Sequence, residues 1–209
     1  MRYTYVRQHD TTDCAAACLA MVCLHYKKEI TITRLRDMMG TDLKGTNLTG
    51  MEKAAQELGF STAAVRVDRE NFLSEFTTPC IAQVITDEGL AHFVTVFKKT
   101  TIKDDGERRR HMLRQEEERK KCADEGKKFK CRDYVIIGDP AKELKKISLD
   151  EFYKNFTGVL LLMTGLPLFT SFITRFSVAS RFIVPAFFQR FLGTFCFLLY
   201  IHPAHLSPL

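Results

Sequence analysis

The chain has 209 residues, of which 45% are hydrophobic and 27% are charged, and its formal net charge is +6. This length and composition allow one buried core and exclude an intrinsically disordered protein. The charge is modest and no DNA- or RNA-binding motif accompanies it, so we expect no nucleic-acid partner. The N-terminus lacks the apolar segment of a secretory signal peptide, and the seven cysteines form no even framework, so we expect reduced thiols.

The first predicted element begins at a cysteine. A polar turn that includes Gln8 and Asp13 leads directly into an apolar helix with one buried face, predicted over residues 14–26. A thiol at a helix N-terminus lies among unpaired backbone N–H groups, which favour the reactive thiolate form of a cysteine. Gln8 could donate an amide hydrogen bond to an oxyanion at the same point. The simpler alternative is that Cys14 is a small first-turn residue and Gln8 a loop amide.

Helices dominate the next part of the chain, and strands follow them. Further helices are predicted over residues 31–39 and 49–58, the first with a threonine cap and both with a closing glycine. A strand, a short helix and another strand are then predicted over residues 60–67, 69–76 and 80–85. This order predicts an α+β fold in which N-terminal helices pack on an antiparallel sheet.

Two later strands carry a histidine and an aspartate. His92 opens a strand predicted over residues 90–97, and Asp139 lies near the end of one predicted over residues 134–141. Pro140 ends that strand and leaves the Asp139 carboxylate at the sheet edge. A lone histidine at a strand start is often only a hydrogen-bonded surface residue. Together with Cys14, however, the two residues complete a possible catalytic triad.

A highly charged segment, about residues 99–132, separates these two strands. Pairs such as Glu116 and Lys120 have the i,i+4 spacing of an exposed helix, so we predict a solvated helical hairpin or a disordered insertion. Cys122 and Cys131 are too far apart, with no second pair, to indicate a zinc site. We expect neither a metal nor a cofactor.

The last part of the chain contains a capped helix, a final strand and an apolar tail. Ser148 and Glu151 have the spacing of a helix capping box, and residues 157–163 are predicted to form a final strand. In the tail, residues 169–182 could form an interfacial helix and residues 182–201 could begin a membrane span, or the tail could be a loosely packed apolar segment.

The block Gln8-x5-Cys14-x3-Cys18-Leu-Ala-Met, with Asp13 before the first cysteine, resembles the start of the bacteriocin-processing peptidase domain of peptidase-containing ABC exporters. The blocks His-Phe-Val, Asp-Pro-Ala, Ser-Leu-Asp-Glu-Phe and Thr-Gly-Val-Leu-Leu-Leu continue the resemblance in order. It implies a papain-like domain over residues 1–164 and an interfacial or transmembrane-like tail over residues 165–209. The chain departs from the family in its charged insertion, in the lack of a glycine near residues 27–29, and at Ala15, which replaces a glycine.

The resemblance also implies a function. Cys14 would be the nucleophile of a cysteine endopeptidase, His92 its base, Asp139 the residue that orients the histidine, and Gln8 an oxyanion donor. The substrate would be a secreted peptide precursor, cut after the Gly-Gly pair that ends its leader. The methyl of Ala15 could crowd the path of that substrate.

The same resemblance implies a cellular setting. The partner would be an ABC exporter at the cytoplasmic face of the bacterial inner membrane. No further spans or phosphate-binding loop are present, so we expect the front end of such a transporter, truncated or naturally short, which does not itself bind ATP. Two alternatives remain: a catalytically weak or inactive domain that binds the leader and presents it to an exporter, and a membrane-associated interaction protein whose functional part is the tail.

Overall fold

The computed structural model describes residues 3–43, 45–165 and 207–208. The helices of this part of the chain are α1 Cys14–His25, α2 Ile32–Met39, α3 Leu48–Glu57, α4 Arg69–Phe72, α5 Asp105–Asp124 and α6 Leu149–Asn155. Its strands are β1 Phe60–Arg66, β2 Cys80–Ile85, β3 Ala91–Lys99, β4 Tyr134–Gly138, β5 Leu144–Ser148, β6 Phe156–Gly165 and β7 Ser207–Pro208. Most of these bounds lie within two residues of the predicted ones, but α4 ends four residues earlier than predicted.

The strands form one antiparallel sheet in the order β5-β4-β3-β2-β6-β1-β7. Alternate residues of β3 face opposite sides of it, so Phe93 packs with α1 whereas Val94 packs in a second core with α6. Two apolar cores therefore enclose the sheet, one beneath the N-terminal helices and one beneath α4 and α6. The predicted layer of helices on an antiparallel sheet is present.

Helix α1 is buried on every side, whereas only one buried face was predicted. Every residue from Cys14 to Cys23 is buried, because the helix lies against β3 and is covered by α2 and α3. Its almost entirely apolar sequence suits such a position. A Cβ at Gly138 would come within 2.9 Å of the Met21 sulfur and 2.8 Å of the Phe97 ring. Only glycine therefore allows β4 to approach α1 so closely.

The ends of the helices follow local signals in the sequence. The Thr31 side chain accepts a hydrogen bond from the Arg34 backbone at the start of α2, and Gly40 ends this helix with a left-handed φ of 63°. Ser148 likewise accepts the Glu151 N–H at 3.2 Å, as the capping-box spacing predicts. After α1, where the family glycine is missing, Lys27 takes the left-handed conformation with a φ of 59°. A non-glycine residue there costs about 1–2 kcal/mol.

The charged insertion is one ordered helix, so the prediction of a helical hairpin or a disordered segment was wrong. The Asp104 side chain caps α5 by accepting the Glu107 N–H, and the predicted Glu116–Lys120 pair is present at 3.2 Å. The inner face of the helix is mixed: Gln115 is buried and donates to the carboxylate of Asp133, and Met112 packs against the core beneath α4 and α6. The hydrophobic pattern shows this face poorly, because part of its contacts join polar side chains.

The predictions for the tail concern residues that the structure does not describe. The possible interfacial helix over residues 169–182 and the possible span over residues 182–201 both lie outside the described residues. Within residues 3–43, 45–165 and 207–208, no helix combines the length and apolar character needed to cross a membrane. The division into a domain over residues 1–164 and a tail stays a prediction.

Candidate active site

Strand pairing brings His92 and Asp139 together. Because β3 and β4 run antiparallel, the start of β3 lies beside the end of β4, where Pro140 stops the strand. The His92 Nε2 lies 2.8 Å from the Asp139 Oδ1. Both side chains are largely shielded from water, with 12% and 9% of their surface exposed. An imidazole and a carboxylate held in this way form a strong hydrogen-bonded pair.

Electrostatics favours the charged form of this pair. Burial of the His92 ring acts to lower its pKa, but the hydrogen bonds and charges of Asp139 and Cys14 outweigh burial and raise the pKa from 6.5 to about 9. Burial acts to raise the pKa of Asp139, and the hydrogen bond and charge of His92 together with the Ala141 N–H reverse this and lower it. At neutral pH the pair is therefore an imidazolium facing a carboxylate.

Cys14 occupies the first position of α1, and it lies near enough to His92 to contribute to the raised pKa of that imidazole. It is only 8% exposed. A short 3-10 turn, Thr11–Asp13, precedes it, and the Asp10 N–H donates to the Asp13 Oδ2 at 3.0 Å to close the turn. The thiol of Cys18, one helical turn later, is fully buried, and burial raises its pKa well above the ordinary value. The structure thus separates one thiol beside a base from a second, inert thiol in the core.

Asp13 anchors the turn that carries the nucleophile. Its carboxylate is buried and forms an ion pair with Arg36 of α2, as well as closing the turn before Cys14. Arg36 therefore ties the second helix to the residue before the thiol. This contact could not be predicted from the sequence, because the two residues lie 23 positions apart and either could equally face solvent.

Replacing Arg36 with glutamine is expected to lower the free energy of unfolding by about 1–3 kcal/mol, because the buried Asp13 carboxylate loses its cation. Arg36 is about one-third exposed, so solvent screening keeps the loss below that of a fully buried pair. Urea denaturation would measure the change. Arg34→Gln is the matched control, since this side chain is exposed on the same helix, and it is expected to change stability by less than about 0.5 kcal/mol. Equal effects of the two substitutions would contradict a specific role for the Asp13 pair.

Gln8 lies beside the turn that carries Asp139. Its backbone N–H donates to the Pro140 carbonyl oxygen at 3.0 Å. Its side-chain Oε1 is buried, with no hydrogen-bond partner in the described part of the chain. An unpaired buried polar atom is costly in a folded protein and is frequently explained by function.

The methyl of Ala15 lies in the protein core. Ala15 is completely buried and belongs to the core beneath α1. Its Cβ therefore packs among apolar side chains, and the effect of this methyl on the substrate path stays a prediction.

A groove of about 250 Å³ lies next to His92 and Asp139. Its walls come from the ends of β2 and β4, from β5 and from α6, and include Val84, Lys142 and Phe152. The sequence predicted β2, β4 and the capped helix α6, but neither β5 nor the convergence of these elements at one groove. Among the described residues, no group of three or more histidine, cysteine or acidic side chains is arranged to hold a metal ion.

The chain is similar in sequence to known peptidases. The family model of the Peptidase C39 family matches residues 2–120, which include Cys14 and His92. The lactococcin-G-processing and transport ATP-binding protein of Lactococcus lactis subsp. lactis is 34% identical over 157 residues, which are 75% of this chain. The chain spans only 18% of the length of that relative.

Solved structures extend the similarity to the fold. The peptidase domain of Streptococcus ComA, a bi-functional ABC transporter, matches with a TM-score of 0.59 and 26% identity, over 79% of this chain and 100% of that domain. A double-glycine-motif protease from an AMS/PCAT transporter, solved with the leader peptide, matches with a TM-score of 0.57 and 28% identity, over 79% of this chain and 93% of that one. These matches confirm the predicted α+β peptidase fold. The chain therefore belongs to the Peptidase C39 family and contains a cysteine peptidase domain.

Proposed function

We propose that residues 1–164 form an endopeptidase that cuts the leader of a secreted peptide precursor after a Gly-Gly pair. The observation that carries this proposal is the shielded His92–Asp139 pair, with Cys14 near the same imidazole at the start of α1. The similarity to a double-glycine-motif protease supports the choice of substrate. Membership of a bacteriocin-type processing system is supported by the lactococcin-G relative.

The proton transfers depend on which nitrogen of the His92 imidazole is not bonded to Asp139. Asp139 occupies Nε2 of His92, so Nδ1 is the nitrogen that receives the Cys14 thiol proton and carries it in the imidazolium form. The thiolate attacks the scissile carbonyl carbon and forms a tetrahedral intermediate. As the C–N bond breaks, His92 Nδ1–H protonates the leaving amine, and a thioester remains on Cys14. Nδ1 then accepts a proton from water, whose oxygen attacks the thioester and releases the acid and the thiol.

The negative charge of the tetrahedral intermediate needs hydrogen-bond donors. We assign this role to the Gln8 side-chain amide and the Cys14 backbone N–H. The Gln8 Oε1 is buried without a partner among the described residues, and the NH₂ group of the same amide can donate hydrogen bonds. Removal of one such donor typically costs about 10²–10³ in rate.

The burial of the nucleophile is consistent with a glycine requirement. With 8% of its surface exposed, Cys14 leaves little room for the approach of a substrate. Two glycines would present backbone without side chains to this approach. The pair would also let the chain adopt conformations that other residues avoid.

The proposed partners follow from the relatives. The domain would act with the transmembrane and nucleotide-binding domains of an ABC exporter at the cytoplasmic face of the bacterial inner membrane. The lactococcin-G relative combines processing and transport in its name, which supports this coupling. The tail over residues 165–209 would contact the membrane.

Cleavage of a synthetic precursor tests the proposed function. We expect one cut after the second glycine, detected by mass spectrometry and blocked by prior alkylation of the protein. A precursor with valine in place of that glycine is the control and should stay intact. Cleavage of both precursors would overturn the glycine requirement. Saturable binding without cleavage would favour the alternative of a leader-binding domain.

A further inference from the structure

Tyr5 connects the two halves of the active site. Its hydroxyl donates to the Asp139 carbonyl oxygen at 3.0 Å and also lies 3.3 Å from the Pro140 carbonyl oxygen. The Gln8 N–H binds the same Pro140 oxygen at 3.0 Å. The N-terminal segment is therefore fastened to the Asp139–Pro140 turn at both of its carbonyl groups.

This turn also sets the position of the Asp139 side chain. The Asp139 Oδ1 faces His92 on one side and accepts the Ala141 N–H at 3.1 Å on the other. A shift of the Asp139–Pro140 backbone would move this oxygen relative to the imidazole. The same shift would move Gln8, because its N–H is bonded to Pro140. The position of this backbone turn therefore sets both the placement of Asp139 against His92 and the placement of Gln8.

We propose that Tyr5 is a positioning residue for the peptidase reaction, whose hydroxyl locks the Asp139–Pro140 turn to the segment that leads to Gln8 and Cys14. Its effect on turnover rests on the proposed function, whereas its effect on His92 rests on the hydrogen bonds alone. The tyrosine ring packs at the margin of the core beneath α1, so ring and hydroxyl have separate roles.

The charges around Tyr5 keep its hydroxyl a donor. Burial raises the pKa of Tyr5, the negative charges of Asp139 and Glu143 raise it further, and Arg7 opposes them. The phenol therefore keeps its proton throughout the range in which His92 titrates. The Lys142 backbone N–H donates to the Asp139 carbonyl oxygen at 3.0 Å. This hydrogen bond still holds the turn when the Tyr5 hydroxyl is removed.

The test is Tyr5→Phe in the full chain, with Tyr3→Phe as the matched control. Tyr3 stacks its ring near Phe97, and its hydroxyl makes no hydrogen bond within the described part of the chain. We expect Tyr5→Phe to fold, because the ring is retained, and to lower kcat about 3- to 30-fold with KM within about twofold of wild type. Tyr3→Phe should change neither constant by more than about twofold.

A second measurement needs no peptide substrate. The rate of Cys14 alkylation, followed by the mass of the peptide that contains it, should show a step as His92 loses its proton near pH 9. In Tyr5→Phe this step should move to lower pH by about half a pH unit or more, because Asp139 is held less firmly against the imidazole. A role confined to stability would leave the step in place.

The outcomes separate the two proposals. A wild-type protein that shows the step but cuts no precursor would overturn the proposed function, while a moved step in Tyr5→Phe would still support the positioning role. An unmoved step, a KM effect without a kcat effect, or a Tyr5→Phe protein that fails to fold would each overturn the positioning role.

Discussion

Replacement of Cys14 with alanine is expected to abolish cleavage of a Gly-Gly precursor, with a loss in kcat/KM of at least about 10⁴-fold. The alanine variant has no group that can form the thioester, and water cannot replace the thiolate in the position beside His92. Cleavage of the synthetic precursor, followed by mass spectrometry over long incubation, would measure the residual rate. Binding of the precursor should persist, because the substitution removes only the thiol sulfur.

Cys18→Ala is the matched control for this experiment. It makes the same change one turn further along α1, at a thiol that burial holds in its neutral form. We expect its cleavage rate to stay within about threefold of wild type once the fraction of folded protein is equal, although the lost core contacts lower stability by about 1 kcal/mol. Cleavage that survives in Cys14→Ala, or disappears in Cys18→Ala while the protein stays folded, would show that the nucleophile has been misassigned.

Short-range signals carried most of what the sequence could predict. The apolar run after Cys14 predicted α1, and strand patterns with Pro140 placed His92 and Asp139 near strand ends. Their meeting required the antiparallel pairing of β3 and β4, which the family resemblance supplied in advance. The catalytic roles of these residues stay proposals, but their convergence is a structural fact.

Contacts between polar residues that lie far apart in the sequence were not predicted. Tyr5 and the Asp139 carbonyl oxygen are 134 positions apart, and a tyrosine in a polar N-terminal segment shows no pattern that reveals such a bond. The inner face of α5 escaped for the same reason, since Gln115 reaches Asp133 through hydrogen bonds rather than apolar packing. Periodicity detects buried apolar faces, and these positions are buried and polar.

Removal of the Asp139 carboxylate is expected to lower kcat/KM by about 10²–10⁴-fold, because His92 loses both its orientation and the charge that stabilises its imidazolium form. Asp139→Ala tests the whole contribution. Asp139→Asn retains a hydrogen-bonding side chain without the charge, so its loss should be smaller. The difference between the two variants separates orientation from electrostatics.

The pH dependence of activity supplies an independent check. Asp139 is a main cause of the raised pKa of His92, so in either variant that pKa falls from about 9 toward the ordinary 6.5. The imidazolium that protonates the leaving amine is then lost at lower pH. The alkaline limb of kcat/KM should therefore move to lower pH, whereas in wild type it should lie near pH 9.

The free energy of unfolding should also depend on pH, through the titration of His92 and Asp139. The folded pKa of His92 lies above its unfolded value, so this contribution is complete below about pH 6.5 and is lost as the pH rises through about 9. The folded pKa of Asp139 lies below its unfolded value near 3.8, so its contribution is complete above that pH and is lost in more acidic solution. The wild-type protein should therefore exceed Asp139→Ala in unfolding free energy most strongly between about pH 4 and 6.5. A difference that instead grew toward pH 9 would mean that the imidazolium–carboxylate pair does not hold these two strands together.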